Sequence, residues 1–257
     1  MPASKEMSII IPNFNGGAFL EELLSSLAGT RNRDKFEVIF MDGGSQDESV
    51  EIARRLLLDT DVIVSEADEG QSDAIQKGLE RARGTWFIFQ NSDDLFNIAT
   101  LDRFLDEAEQ YDRFDVVAFD MDVIEADGAN GWKVVSSFRH TRPVSWRQLR
   151  YNIYYTNQAT VYRTSVAKRV KFDPAMGFAL DYDFVVRFFK LIRPKVKIVS
   201  AVMGYQRMHD DTKTSKLQEL CLEETRAVRR REYGSTDSFV GFLEMVQYHA
   251  FKKLRLW

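Results

Sequence analysis

Short apolar runs alternate with amphipathic segments along the first hundred residues of the chain. The runs, which are typical of strands buried on both faces of a parallel sheet, are residues 8–11, 38–41, 62–64 and 86–89. Between them, apolar residues recur three or four positions apart, which predicts helices over residues 19–27, 45–57 and 72–83. This β-α-β-α-β-α-β order predicts an α/β fold with a mainly parallel sheet flanked by helices.

The pattern becomes less regular after residue 100. Strands are predicted at residues 116–119, 134–135, 159–162 and 196–202, and a helix is predicted over residues 181–192. From about residue 213 the pattern is helical and increasingly basic. We therefore expect one domain over residues 1–210, with halves at 1–100 and 101–210, followed by a helical extension over residues 211–257.

Composition narrows the range of functions. With 257 residues and 44% hydrophobic content, the chain can form one large α/β domain or two closely packed halves. The net charge of −4, without a basic stripe in the first 200 residues, argues against nucleic acid as a partner. One cysteine, Cys221, excludes a disulfide framework and suits a reducing compartment. Without a membrane-length apolar stretch or a signal-peptide core, we expect a cytoplasmic protein.

Polar side chains follow three of the predicted strands at the point where each strand ends. They are Asn13 and Asn15, then Asp42, then Asn91, Ser92, Asp93 and Asp94. Carboxyl ends of parallel strands meet at one edge of a sheet, so these groups should converge. A carboxylate there can accept the N–H of a pyrimidine, an asparagine can bind ribose, and Asp93 can hold a cation that neutralises a diphosphate. Ordinary turns are the alternative interpretation.

Five segments in this order resemble family 2 of the inverting glycosyltransferases, which have the GT-A fold. The segments are residues 9–15 (IIIPNFN), 42–47 (DGGSQD), 70–78 (GQSDAIQKG), Gly84 and residues 91–94 (NSDD). The resemblance implies that the nucleotide is bound by Pro12, Asn13, Asn15, Asp42, Gly70, Asp73, Asn91, Ser92 and Asp93. It also implies a metal, Mg²⁺ or Mn²⁺. Because Asn91 replaces the first aspartate of the family's Asp-x-Asp motif, we expect that metal to depend on Asp93, with Asp94 as a second candidate ligand.

Inverting transfer requires a general base, because the acceptor hydroxyl loses its proton as its oxygen attacks the sugar. Residues 179–184, followed by Arg187, resemble the family's second acidic motif, which usually reads Glu-Asp. Leu180 stands at the glutamate position and Asp181 at the position of the base, so Asp181 is the predicted general base. Asp183 is a weaker candidate that could instead pair with Arg187. The alternative is an ordinary acidic helix start.

A later segment, residues 205–209, resembles the family's arginine and histidine motif. The resemblance implies that Arg207 or His209 reaches the diphosphate or the metal, and we predict His209 as a metal ligand beside Asp93. Asn157 and Gln158 precede a predicted strand in the second half and are expected to touch the acceptor or the donor sugar.

The end of the chain combines basic and apolar side chains. The basic residues are Arg229, Arg230, Arg231, Lys252, Lys253 and Arg255, interleaved with Phe239, Phe242, Leu243, Val246, Phe251, Leu254 and Trp257. Such a segment can lie on an anionic membrane surface, which would place the protein at the inner face of the membrane. Packing on the core or on a second subunit is the alternative, and both remain open.

These observations predict an inverting, metal-dependent glycosyltransferase that uses a nucleotide-sugar donor, expected to be UDP-linked, and a glycan or lipid-linked glycan acceptor. The resemblance implies a role in surface polysaccharide or lipopolysaccharide synthesis. A sugar nucleotidyltransferase is one alternative, although residues 13–17 lack the lysine or arginine that a triphosphate-binding loop needs. A non-catalytic nucleotide-sugar-binding module is the other alternative, which Asn91 and Leu180 leave open.

Overall fold

The computed structural model describes residues 5–128, 131–151, 154–209 and 218–234. Within them, nine strands form one sheet with helices on both faces. The strands are β1 (Met7–Asn13), β2 (Phe36–Asp42), β3 (Val62–Ser65), β4 (Trp86–Phe89), β5 (Leu95–Phe96), β6 (Val116–Ala126), β7 (Trp132–Phe138), β8 (Thr160–Arg163) and β9 (Val196–Met208). The helices are α1 (Gly17–Ala28), α2 (Ser49–Leu56), α3 (Gln71–Arg81), α4 (Ile98–Asp106), α5 (Thr164–Ala167), α6 (Leu180–Ile192) and α7 (Gln218–Tyr233).

The sheet is mixed, and its first half is parallel as predicted. The strand order is β3-β2-β1-β4-β8-β6-β9-β5, and β7 pairs with β6. Strands β1 to β4 pair in parallel, whereas β8 runs antiparallel to both β4 and β6, and β5 runs antiparallel to β9. The predicted α/β fold is therefore confirmed, and β8 joins the parallel half to the second half of the sheet.

The core lies on both faces of the sheet because successive side chains of a strand point in opposite directions. Ile9 and Ile11 of β1 belong to the cluster that contains α1 and α4, whereas Ile10 belongs to the cluster that contains α3 and α6. All seven residues of β1 are buried, as expected for a central parallel strand. Val228 of α7 also belongs to the second cluster, so α7 packs on the same side as α6.

Several element boundaries differ from the sequence prediction. Strand β1 continues past the apolar run of residues 8–11 to Asn13, with Pro12 inside it. Helix α2 begins at Ser49 rather than at residue 45, and the Ser45 hydroxyl donates to Asp42 (2.5 Å). Strand β9 continues to Met208, beyond the predicted end at residue 202, because its second half pairs with both β6 and β5.

Among the described residues, none of the helices has the length and apolar character needed to span a bilayer. The part of the basic and aromatic segment beyond residue 234, on which the prediction of membrane contact mainly rests, lies outside the described residues.

Candidate active site

The ends of β1 and β2 lie side by side at one edge of the sheet. Asn13 and Asp42 are register partners at the ends of these strands, and the Asn13 side-chain amide donates to Asp42 Oδ1 (2.8 Å). Strand β4 pairs with the other side of β1 and is followed by residues 91–94. The structure therefore brings three of the predicted polar segments to the same edge.

Asp42 is the centre of a hydrogen-bond network that fixes the loop after β2. Its Oδ1 accepts from the side chains of Asn13 and Ser45, and its Oδ2 accepts from the Ser65 hydroxyl and from the amides of Gly44 and Ser45. Burial, which leaves 2% of the residue exposed, raises the pKa of Asp42, but these hydrogen bonds outweigh it and the net pKa is lowered. The predicted contact with a base would require one of these bonds to open.

The loop between β1 and α1 is held against the loop after β2. The Asn15 amide donates to Ser45 Oγ (2.8 Å), and Asn15 Oδ1 accepts from the amide of Gln46 (2.9 Å). Asn15 has a φ of 51°, in the left-handed region that asparagine tolerates better than most residues. Pro12 and Asn13 lead into this loop from a buried strand, so the loop has little freedom to move.

Gly16 allows this loop to touch the acidic loop after β4. A Cβ atom at position 16 would lie 2.3 Å from Asn13 Oδ1 and 2.6 Å from Ser92 Oγ, closer than any real contact. Asn13 Oδ1 is buried and has no hydrogen-bond partner among the described residues. Polar atoms of two loops therefore face each other in a space that a side chain at position 16 would fill.

Asp93 contacts His209, which lies 116 residues further along the chain. The distance between Asp93 Oδ2 and His209 Nε2 is 3.1 Å, and both side chains are partly exposed. The short strand β5 explains this contact, because it pairs with β9 and so carries the acidic loop to the end of that strand. The His209 ring also packs on Phe19 of α1, with 4.6 Å between ring centroids. The two residues predicted to bind metal are therefore neighbours.

Asp94, the next carboxylate, is enclosed by protein groups and is 2% exposed. Its Oδ1 accepts from the amide of Arg207 (2.9 Å), and its Oδ2 accepts from the side-chain amides of Gln158 (2.8 Å) and Asn91 (3.1 Å). Burial and then the charge of Asp93 raise the pKa of Asp94 to about 7, against the opposing effect of these donors. Asp94 thus ties the acidic loop to β9 and to the turn before β8, whereas the Asp93 side chain is partly exposed.

The pair of Asp93 and His209 fits a divalent cation that a bound ligand also coordinates. Among the described residues there is no group of three or more metal-binding side chains. The protein would therefore supply one carboxylate and one imidazole, and phosphate oxygens and water would complete the coordination. Mg²⁺ is usually bound in this way, through one or two carboxylates and substrate phosphates.

The start of α3 lies beside the acidic loop. The side-chain amide of Gln71 donates to Asn91 Oδ1 (2.8 Å). Gly70, which precedes the helix, has a φ of 116°, a conformation that favours glycine. Asp73 in the first turn pairs with Lys77 (2.8 Å), so its charge is partly balanced within the helix. The predicted nucleotide-binding residues of α3 are thus next to the Asn-Ser-Asp motif.

Asp181 is connected to this edge through the segment that precedes α6. Ser72 of α3 donates to the carbonyl of Asp173 (2.7 Å), and the chain continues from there into the first turn of α6, which carries Asp181. One oxygen of Asp181 accepts from the amide of Tyr182 (2.7 Å). Burial raises the pKa of Asp181 to about 6, and backbone hydrogen bonds offset only part of this effect. A carboxylate with this pKa can act as a general base near neutral pH.

The side chains of Asp183 and Arg207 are both held by contacts with other residues of the protein. Asp183 is fully buried, accepts from Arg187 Nε (2.9 Å) as the sequence suggested, and also pairs with Arg231. The side chain of Arg207 is 1% exposed, and its guanidinium lies 4.7 Å from the ring centroid of Phe19. Of the pair Arg207 and His209, only His209 contacts the acidic loop through its side chain among the contacts described.

The sequence analysis did not identify Phe14 as a site residue. It lies between Asn13 and Asn15 in the loop after β1 and is 68% exposed. Its position as a large aromatic side chain between two polar residues of a predicted binding loop could have indicated a contact with a ligand. Gln158, expected to touch a sugar, is 3% exposed and holds Asp94 instead.

The chain that forms this sheet matches a family of glycosyltransferases. The model of "Glycosyl transferase family 2" matches residues 8–173, which is more than half of the chain. The chain belongs to this family.

Two relatives with assigned names are themselves sugar-transferring enzymes by name. The chain is 38% identical over 117 residues to the PGL/p-HBAD biosynthesis glycosyltransferase of Mycobacterium tuberculosis, covering 43% of this chain and 45% of that protein. It is 30% identical over 172 residues to the poly(ribitol-phosphate) beta-N-acetylglucosaminyltransferase TarS of Staphylococcus aureus, covering 63% of this chain and 28% of that protein. The similarity therefore spans less than half the length of these relatives.

Solved structures of the same fold include nucleotide complexes. TarS 1–349 from S. aureus with UDP-GlcNAc gives a TM-score of 0.67 at 19% identity and covers 93% of this chain and 70% of that one. Glucosyl-3-phosphoglycerate synthase from M. tuberculosis, with Mn²⁺, UDP and glucosyl-3-phosphoglycerate, gives 0.63 at 14% identity and covers 92% and 82%. At these identities the likeness establishes the fold, which is GT-A as predicted.

Proposed function

We propose that this chain is an inverting glycosyltransferase that moves a sugar from a UDP-linked donor to a hydroxyl group of a glycan or lipid-linked glycan. The contact between Asp93 and His209 carries the proposal, because it brings together a carboxylate and an imidazole at the edge outside the carboxyl ends of the parallel strands, where open α/β folds bind ligands. The UDP-GlcNAc complex of TarS and the Mn²⁺ and UDP complex of the mycobacterial synthase support it.

The donor would lie along the edge formed by β1, β2 and β4. The exposed ring of Phe14 offers a stacking surface for the base, next to the amides of Asn13 and Asn15. Asn91 and Ser92 would reach the ribose, with Gly70 and Asp73 beside it. In this arrangement Asp42 acts mainly by fixing the loop that surrounds the base, since protein donors already occupy both of its oxygens.

Asp93 and His209 would hold Mg²⁺ or Mn²⁺ against the donor diphosphate. The bound cation would stabilise the negative charge that develops on the leaving nucleoside diphosphate. Because the two side chains are 3.1 Å apart, small shifts of either could bring both to one ion. Asp94, held by three donors beneath them, would keep the acidic loop in place.

Asp181 would act as the general base. As the acceptor oxygen bonds to the anomeric carbon, the bond from that carbon to the diphosphate breaks and the acceptor proton passes to the Asp181 carboxylate. Attack from the face opposite the leaving group gives inversion. A pKa of about 6 means that Asp181 is mainly deprotonated at neutral pH and is still a stronger base than an ordinary aspartate.

The names of the relatives suggest the setting of the reaction. They refer to poly(ribitol-phosphate) and to PGL/p-HBAD biosynthesis. We extend this to the present chain as a role in surface polysaccharide or lipopolysaccharide synthesis at the inner face of the membrane.

Binding and turnover test the proposal separately. Calorimetry with UDP and Mn²⁺ should show binding, and a panel of UDP-sugars with acceptors should show UDP release. Asp181→Asn should bind UDP as the wild type does and lose transfer, whereas Asp112→Asn, an exposed site away from the edge, should change neither. If no nucleoside diphosphate binds with either cation, the proposal is wrong. Donor binding without transfer to any acceptor would favour the binding-module alternative.

A further inference from the structure

Helix α7 is joined to α6, the helix that carries Asp181, by several polar contacts. Arg229 Nε donates to the Tyr182 hydroxyl (3.3 Å), Arg231 pairs with Asp183, and Lys190 pairs with Glu232 (3.0 Å). Tyr182 and Asp183 directly follow Asp181 in the sequence. Helix α7 therefore contacts the two residues that follow the predicted base.

Glu224 of α7 binds the start of α6 more directly. Its carboxylate accepts hydrogen bonds from three consecutive backbone amides, those of Gly177 (3.0 Å), Phe178 (2.8 Å) and Ala179 (2.8 Å). Ala179 occupies the N-cap position of α6 and has no side chain that could serve as a cap. Amides at a helix start lack partners within the helix, and a carboxylate is a favourable partner for them.

This contact ends two residues before Asp181. Since Ala179 is held by Glu224 and Asp181 is the second residue of α6, the anchored backbone determines where the Asp181 carboxylate lies. Cys221, one turn earlier in α7, is close to both acids. Burial mainly raises the pKa of the Cys221 thiol to about 11, and the charges of Asp181 and Glu224 add to this effect.

We propose that Glu224 is a positioning residue for the general base, and that α7 is thereby part of the active site. The assignment of Asp181 as the base rests on the proposed function, whereas the contact between Glu224 and the three amides does not. Glu224 itself is not expected to touch either substrate. It would act by holding the first turn of α6 in the orientation that aligns Asp181 with the acceptor hydroxyl.

Two neighbouring glutamates provide a matched test. Glu224→Gln removes the charge and replaces one acceptor oxygen by an amide that cannot accept, whereas Glu223→Gln makes the same change at an exposed position. We expect Glu224→Gln to lower kcat for transfer by about 10- to 100-fold, because misplacing a catalytic group by an ångström has effects of this size. The KM for the donor and the affinity for UDP should stay within about twofold of wild type, because the donor edge is built from other elements. Glu223→Gln should match wild type in all three.

Hydrogen exchange gives a readout that does not depend on catalysis. The amides of residues 177–182 should exchange faster in Glu224→Gln than in Glu223→Gln, while those of β1 and β2 should be unchanged. If Glu224→Gln does not fold, Glu224→Asp, which keeps the charge but withdraws the carboxylate, replaces it in both assays with the same expectations.

The proposal is overturned if kcat is unchanged, or if kcat falls together with donor affinity and with protection throughout the sheet, which is the pattern of general destabilisation. If the wild type transfers no sugar, the proposed function fails, and the exchange result alone still decides whether Glu224 anchors the start of α6.

Discussion

Asp42 on the proposed donor side is buried and Asp181 on the proposed acceptor side is partly buried, yet their pKa values shift in opposite directions. Burial acts on each of them to raise the pKa. At Asp42 the side chains of Ser45, Asn13 and Ser65 and the backbone of the loop reverse the effect, so the pKa is lowered. At Asp181 the opposing hydrogen bonds come from the backbone alone, and the pKa rises to about 6.

This difference matches two kinds of task. A charge that organises a loop must persist, and several donors make it permanent and unable to take up a proton near neutral pH. A general base must accept a proton during the reaction, so it needs a lone pair that no protein donor occupies. In the acidic loop the donors do not outweigh burial, because the pKa of Asp94 is raised to about 7 although three donors bind its carboxylate, and Asp93 is partly exposed beside His209.

Among the variants that test this comparison, Asp93→Asn is expected to have the largest effect. Removing the exposed carboxylate should reduce metal-dependent transfer at least about 100-fold, because the charge on the leaving diphosphate loses its metal. The melting temperature should change little, since Asp93 makes a single described contact, to His209. Transfer rates measured against Mn²⁺ concentration test this, with Asp59→Asn as the exposed control. Unchanged activity at saturating Mn²⁺ would exclude Asp93 as the metal ligand.

Asp42→Asn tests the donor side of the comparison, because it removes the charge that organises the loop after β2. An amide keeps the shape but loses the charge and presents N–H to groups that are themselves donors, so we expect a loss of about 2 kcal/mol in the free energy of unfolding at pH 7. Since the pKa of Asp42 is lowered in the folded state, its contribution is present above the unfolded value of 3.8 and is lost as the pH falls through the folded value.

Urea unfolding of both proteins at pH 7 and at pH 3 measures this contribution. The difference between wild type and Asp42→Asn should shrink at the lower pH, and Asp59→Asn should track wild type at both. A difference that is equal at the two pH values would show that shape, and not charge, accounts for the role of Asp42.

Much of the donor side could be predicted from the sequence, for a physical reason. Parallel strands place their carboxyl ends at one edge, so Asn13, Asp42 and the acidic loop had to meet once the strand order was known. The number of donors around Asp42 could not be predicted, because Ser65 arrives from β3 and no local pattern shows that its hydroxyl turns towards Asp42.

The contacts made by the second half of the chain were less predictable. Strand β5 has two residues, too few for any periodicity, yet it carries the acidic loop to His209. The partner of the start of α6 is Glu224, which lies more than 40 residues further along the chain and resembles its exposed neighbour Glu223 in the sequence. Only the packing of α7 on α6 distinguishes the two. Motif spacing could therefore point to Asp181 as the candidate base but not to the contact that holds the start of α6.

The pH dependence of transfer tests the role of Asp181, and the expected effect is smaller than those above. With a pKa of about 6 for Asp181, the deprotonated fraction falls about tenfold between pH 7 and pH 5, and kcat should fall by the same factor. UDP affinity, measured by calorimetry over the same range, serves as the control for the donor side. A kcat that stays constant down to pH 5 would mean that Asp181 is not the base, or that its pKa is that of an ordinary aspartate.

The smallest expected effect is a gain in stability from Asp181→Asn. Because the folded-state pKa is raised, folding favours the protonated acid, and the ionised form costs stability as the pH rises from 3.8 through about 6. A rise in the pKa of Asp181 from 3.8 to about 6 corresponds to about 3 kcal/mol for full burial, and the partial exposure of the side chain reduces this to about 1 kcal/mol. Asp181→Asn should therefore unfold at a higher urea concentration than wild type at pH 8 and lose this advantage below pH 4, while Asp112→Asn shows no such change. If the variant is no more stable than wild type at pH 8, the carboxylate of Asp181 is not strained by its surroundings, and the contrast with Asp42 loses its energetic basis.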